Sequence, residues 1–355
     1  MAEGLGWRAC WRSKTSAAVT LLILAILAPL CAALLDWALL QAVWQPDAQA
    51  CALARGHGAC WGVIAEKHRL ILFGRYPQAE QWRAMLACGV VILTLLYAAH
   101  PSNWSRHLPG LWLLALALAW VLLSGRVGPW SLREWGLPPV PSELWGGLPL
   151  TLMLSAVAIT LAFPLAIALA LGRTGPLPLI SRLCAILIEV VRGVPLVSVL
   201  FMASFMIPLW WPAGQSPDVL WRVSAALTLF LAAYLAEVVR GGLQGVPQGQ
   251  VMAGTALGLG YFDLQRQVVL PQALTHALPG LVNHFIGLFK DTSLVTIVSL
   301  YELSGAMSLA LSGDAEWRPF KIEAYLFIAA IYFVFCAALS RYSQYLQQRF
   351  EQRRQ

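Results

Sequence analysis

The chain has 355 residues, of which 59% are hydrophobic and only 12% charged, with a mean hydropathy of +0.68. A soluble domain carries roughly 25% charged residues because its surface must face water. A soluble enzyme, a disordered chain, a collagen and a coiled coil are therefore excluded, and a polytopic, all-α integral membrane protein remains. The net charge of +7 gathers at the ends, at Arg8, Arg12 and Lys14 and again at Arg341, Arg349, Arg353 and Arg354. Basic residues flanking membrane spans stay on the cytoplasmic side, so this charge reads as an orientation signal. No basic stripe interleaved with aromatics points to nucleic acid.

The first apolar run, from Ala17 to about Leu35, contains Pro29 and ends without a small-residue cleavage site. It is too long for a cleaved leader and long enough to cross a bilayer, so it is expected to be the first of about eight spans. The others are expected near 85–99, 108–124, 148–171, 184–208, 220–239, 276–300 and 322–340. An even number of crossings places both basic termini on one side, the cytoplasmic one. The Lys and Arg of the remaining loops add only a weak bias in the same direction.

Between the first two spans lies a polar stretch, 45–83, that holds Cys51 and Cys60. If it faces an oxidising periplasm the two can form a disulfide; otherwise they are free thiols. Cys31, Cys88, Cys184 and Cys336 lie in apolar runs and read as small hydrophobes. No spacing of cysteine or histidine suggests a metal site. The stretch Gly136–Trp145, rich in proline and tryptophan, reads as an interfacial hinge. It divides residues 1–142, with three spans and the polar loop, from 143–345, with five spans, and a basic tail follows at 346–355.

Chemistry-bearing motifs for hydrolysis are missing. None of the four lysines follows a glycine, so there is no phosphate-binding P-loop, and neither HExxH nor GxSxG occurs. The chain reads as a mover of solute rather than an enzyme, with no cofactor of its own.

Three groups of residues carry the functional reading. Glu189/Arg192 and Glu237/Arg240 repeat the string Glu-Val-Val-Arg-Gly 48 positions apart, each with opposite charges at a spacing that permits pairing on one helix face. They are either two self-neutralised helix ends or a charged gate. In the run 276–300, His284 and Asp291 share one face, with Asn283 and Lys290 on the adjoining one. Ionisable groups inside a span usually line a water-filled path. Asp291 can meet a substrate ammonium while Asn283, Thr292 and Ser293 supply hydrogen bonds; alternatively Lys290 and Asp291 lie at an interface and His284 only packs. The third group is the segment from Glu237 to Pro271. Pro247 suits the start of a short helix, Met252, Ala253 and Gly254 continue it, Gly258 or Gly260 takes its left-handed cap, and Asp263 caps a second turn that Pro271 interrupts.

This third segment resembles the coupling loop of ABC-importer permeases, whose pattern is Glu-Ala-Ala, then Gly, nine residues, and Ile-x-Leu-Pro. Here Met252 stands at the Glu position, Gly254 at the second Ala, and Gly258, Leu270 and Pro271 match. Leu150–Ser155, Glu189–Pro195, Asn283–Ser293 and Ser340–Ser343 are similar to the polar amino-acid uptake permeases, and the extra N-terminal spans to the M-type subunit of general L-amino-acid importers, the HisMQ-like family. The resemblance implies a bacterial inner-membrane permease that imports L-amino acids by alternating access. It further implies a second permease subunit, two ATP-binding subunits that hydrolyse the ATP, and a periplasmic amino-acid-binding protein. The alternative is a secondary amino-acid transporter driven by an ion gradient.

Overall fold

The computed structural model describes residues 13–212 and 214–352. Arg8, Arg12, Arg353 and Arg354, on which the orientation signal partly rests, lie outside the described residues. Helices dominate; besides isolated bridges, strand pairing among the described residues is limited to a small hairpin, Arg126–Val127 against Trp130–Ser131.

Two compact units emerge. One comprises residues up to 68 together with 311–327; the other comprises 69–310 and the chain from 328 onward. In the first unit, α1 (Lys14–Leu35) starts at Ser13, whose hydroxyl accepts from the Ser16 N–H at 3.0 Å. None of its residues is buried, as befits a helix that is apolar from Leu21 onward and has lipid as its solvent. Beyond it, α2 (Ala48–Ala54) is joined to the turn that precedes α3 (Gly62–Phe73) by a disulfide between Cys51 and Cys60. The Trp61 indole donates to the Ala38 carbonyl at 2.7 Å, and the Cys60 N–H donates to the Glu323 carboxylate at 3.0 Å. Lys67 pairs with Asp314 at 2.8 Å. Segments more than 240 positions apart are thus fastened by polar contacts within this unit.

In the second unit, α4 (Gln81–Ala99) and α5 (Leu108–Ser124) form a helical hairpin. The stretch 136–145, expected to be an interfacial hinge, is packed against it. The fully buried Arg83 donates to the carbonyls of Leu122 at 2.8 Å and Pro138 at 2.9 Å, and the Val140 N–H bonds the Ser124 carbonyl at 3.0 Å. A buried guanidinium needs several acceptors, and the proline-rich stretch supplies carbonyls that no helix ladder consumes. The Tyr76 hydroxyl donates to Leu123 at 2.8 Å, and burial pushes that phenol up to about 12.

The centre of this unit is α6 (Gly147–Thr174), packed on α9 (Val219–Gln244), which packs in turn on α12 (Leu270–Asp291). Ala158, Ala162, Ala166 and Ala170 recur at one-turn spacing along α6, all with no exposed surface. Small residues let apolar helices approach where lipid gives no hydrophobic drive for association. The same closeness holds between α9 and α12, where a Cβ on Gly242 would lie 2.2 Å from the Ala273 carbonyl oxygen.

Among the described residues, six helical segments can cross a membrane by length and composition, and a bent pair makes a seventh. Their positions follow the expected runs. The remaining expected span is α5, an apolar helix of 17 residues. The expected span 184–208 is corrected: it is broken into α7 (Pro178–Gly193) and α8 (Leu196–Phe201), the latter continuing through wide and tight turns to Trp210, with a bend of 102°. The break falls at Val194-Pro195. Proline has no N–H to donate and disfavours helical backbone in the residue before it, and Val194 is accordingly extended. The chain then runs through α10 (Gln248–Ala256), α11 (Tyr261–Leu264), α13 (Leu303–Ser312) and α14 (Lys321–Gln352). Trp44, Trp104, Trp130, Trp210 and Trp211 are exposed, as rings at headgroup depth are.

Candidate functional site

The two Glu-Val-Val-Arg strings come together on neighbouring helices, but not as two separate pairs. Glu237 on α9 does pair with Arg240, whose Nε and Nη2 donate to the same carboxylate oxygen at 3.0 and 2.9 Å. Glu189 on α7 does not pair with Arg192. Instead Arg173, in the last turn of α6, divides its guanidinium between Glu237 at 2.6 Å and Glu189 at 3.1 Å. Arg192 approaches the same Glu237 oxygen that Arg240 holds, at 3.7 Å, beyond hydrogen-bond range. The side chain of Glu237 is 14% exposed and that of Glu189 65%, so Glu237 is the hub of a three-helix cluster and Glu189 its wet rim. Arg173 was not legible as a partner. Its only sequence signal is a lone cation closing an apolar helix, where the helix dipole favours it.

One helical turn before Glu237, a cavity of about 220 Å³ opens between α9 and α12. Phe230, Leu231 and Tyr234 line it from α9; His284, Gly287, Leu288 and Asp291 line it from α12. The Tyr234 and His284 rings lie 5.6 Å apart, and the Tyr234 and Phe230 rings meet at 4.9 Å, tilted by 42°. His284 and Asp291 share the cavity because seven residues are close to two turns of an α-helix, while Gly287 between them leaves room. Asn283 is a hundred degrees round the helix and exposed, so it does not line the cavity. Thr292 and Ser293 do not line it either. The helix tightens at Thr292 into a three-residue-per-turn segment, Thr292–Val298, and the buried Thr292 hydroxyl donates back to the Phe289 carbonyl at 2.8 Å. Lys290 is exposed.

Sequence reasoning missed a second carboxylate. Glu302 has no exposed surface. One of its oxygens accepts from the Tyr332 hydroxyl at 2.7 Å and the Thr151 hydroxyl at 3.2 Å, the other from the N–H groups of Ser304 at 2.8 Å and Gly305 at 3.1 Å. It caps α13 while tying α6 to α14. No capping pattern marked it in the sequence, because Glu is not among the residues that usually cap a helix.

The expected coupling segment is an exposed projection. Helix α10 begins after Pro247 and ends at Ala256; two residues on, Gly258 has a φ of +80° and is the left-handed residue, whereas Gly260 is at −68° and is not. Met252 is 66% exposed and Ala253 is exposed, whereas Gly254 is buried, with Leu264 so near that a Cβ would meet it at 2.5 Å. Leu257 and Phe262 protrude almost fully. Two details differ from expectation. Asp263 lies within α11 and accepts weakly from Gln267 rather than capping the turn. Pro271 does not interrupt a helix: it stands beside Leu270 in the first turn of α12, where its missing N–H has no helical partner to lose.

A family description fits residues 162–352, from within α6 to the end of α14: binding-protein-dependent transport system inner membrane component. The chain belongs to that family. The match contains the charge cluster, the cavity and the projecting segment, so all three lie in the permease core. Over 323 residues the chain is 45% identical to the inner membrane amino-acid ABC transporter permease protein YhdY of Escherichia coli, covering 89% of this chain and 84% of that one. It is 35% identical to the glutamate/glutamine/aspartate/asparagine transport system permease protein BztC of Rhodobacter capsulatus, over 86% of this chain and 80% of that one. A crystal structure described as an amino acid ABC transporter with histidines superposes with a TM-score of 0.51 at 30% identity, covering 57% of this chain and 92% of its own. The chain is thus a multi-pass membrane permease subunit of a binding-protein-dependent transporter, and such subunits are not themselves enzymes.

Proposed function

We propose that this permease subunit carries L-amino acids inward across the bacterial inner membrane. The observation that carries the reading is the cavity between α9 and α12, which sets an acid, Asp291, and an imidazole, His284, among aromatic and aliphatic walls. An amino acid brings an ammonium and a carboxylate on one small body, and a mixed polar and apolar concavity of this size suits it. The names of the relatives YhdY and BztC point to the same class of solute; the ion-gradient alternative has no counterpart among them. In this reading a second permease subunit completes the path. Two ATP-binding subunits hydrolyse the ATP that drives alternating access, and one of them grips α10 and the protruding Leu257 and Phe262. A periplasmic binding protein delivers solute. Both termini lie in the cytoplasm, with the Cys51–Cys60 disulfide on the oxidising side.

The charge cluster around Glu237 stands between the cavity and the coupling segment along α9. It is the inner gate in this reading: its guanidinium contacts from α6 and α7 hold the helix ends together until ATP-driven movement separates them.

The test is uptake of labelled L-glutamine by vesicles that contain the whole transporter. ATP-dependent accumulation that needs the binding protein and falls at least tenfold in D291N supports the proposal. Uptake that proceeds without ATP under an imposed proton or sodium gradient would sink it.

A further inference from the structure

Of the groups lining the cavity, Asp291 is the one carboxylate, and it is an acceptor; a zwitterion needs a cationic donor as well. Arg192 is placed to be that donor. Its guanidinium carbon lies 5.4 Å from the centre of the Tyr234 ring, which lines the cavity, and the Tyr234 hydroxyl donates to the Arg192 carbonyl at 3.3 Å. The backbone and the head of Arg192 are therefore both held against the cavity wall.

Arg192 is also the least committed of the three arginines around Glu237. One oxygen of Glu237 takes Arg173 at 2.6 Å, and the other takes both contacts from Arg240. Arg192 reaches that second oxygen only at 3.7 Å and keeps 40% of its side chain exposed. A carboxylate whose lone pairs are already met by two close guanidinium groups gains little from a third.

We infer that Arg192 binds the α-carboxylate of the transported solute at the mouth of this cavity while Asp291 receives the ammonium. The inference rests on the reading of the cavity as an amino-acid site. Guanidinium meets carboxylate through two parallel N–H donors, which gives direction as well as charge. It assigns the cavity a substrate class: zwitterions with a free carboxylate, not amines or amides of similar size. It also joins substrate to gate. A carboxylate that draws Arg192 away leaves Glu237 with Arg173 and Arg240, so the cluster is loosened on its α7 side without leaving a charge unpaired.

The experiment is direct binding of labelled L-glutamine to the detergent-purified transporter, without the binding protein, competed by unlabelled L-glutamine or by its uncharged α-amide. For the wild type the amide should compete at least tenfold more weakly. In R192Q the affinity for L-glutamine should fall about 10- to 100-fold, the range for a lost hydrogen bond to a charged group, and the preference over the amide should vanish. R192K, which keeps the charge but not the fork, should retain a reduced preference. If R192Q keeps the wild-type preference while D291N loses binding, the assignment of Arg192 fails and the cavity stands. If the wild type does not bind, or D291N and R192Q both bind as it does, the cavity reading fails and takes this inference with it.

Discussion

Replacing Glu237 with Gln removes the one carboxylate that three arginines from three helices approach. The amide can still accept hydrogen bonds, but it leaves Arg173, Arg192 and Arg240 facing one another with only the exposed Glu189 as counter-charge. Breaking a fully buried ion pair on one side costs about 3–5 kcal/mol. The arginine side chains here are 22–40% exposed, and water screens what remains, so a cost of about 2–3 kcal/mol is appropriate. The same change at Glu189 should cost less than about 1 kcal/mol, because that carboxylate is largely in water. Thermal unfolding of the two purified variants at one scan rate provides the comparison. E237Q should melt about 5 °C below the wild type, with E189Q within about 2 °C of it. Equal losses for the two would show that Glu237 is not the hub and that the cluster contributes by number of charges rather than by arrangement.

Gly258 lies at a φ of +80° with open space around it, so G258V should strain the backbone by roughly 1–2 kcal/mol without a clash. Normal membrane insertion with weaker copurification of an ATP-binding subunit is expected, whereas unchanged copurification would disconnect this turn from coupling. At Glu302, alanine strips the acceptor from two hydroxyls and two N–H groups, and a loss of about 3 kcal/mol or more in unfolding is expected, with glutamine recovering part of it. Asp314 is held below its ordinary value of 3.8, first by the Lys67 hydrogen bond. Its contribution is therefore complete above the unfolded value and drains away as pH falls through the folded one. Limited proteolysis of the 311–327 segment should accelerate as pH falls below the ordinary value of 3.8, and D314N should be cleaved at a rate that no longer responds to pH there.

What could be read from the amino acids alone was what each stretch does locally. An apolar run long enough for a bilayer forms a helix because lipid offers no partner for its backbone, so the positions of α1, α6, α9 and α14 follow from hydropathy. Local geometry likewise put His284 and Asp291 on one face and gave Gly258 its cap. Folding decided the matters that depend on neighbours. Val194-Pro195 was visible as a dipeptide, yet hydropathy averages over it, and the bend there follows from backbone sterics rather than polarity. The pairing of Arg173 with Glu237 joins residues 64 positions apart and wins over the expected Glu189–Arg192 pair, because helix packing brings the end of α6 to that carboxylate. Asn283 is turned out of the cavity by the same rotation that turns His284 in. Glu302 is buried only because α6, α13 and α14 converge on it with donors that no linear pattern relates. Spans follow from one chain dissolving in lipid; partners follow from which helices touch, and that is a property of the assembled core.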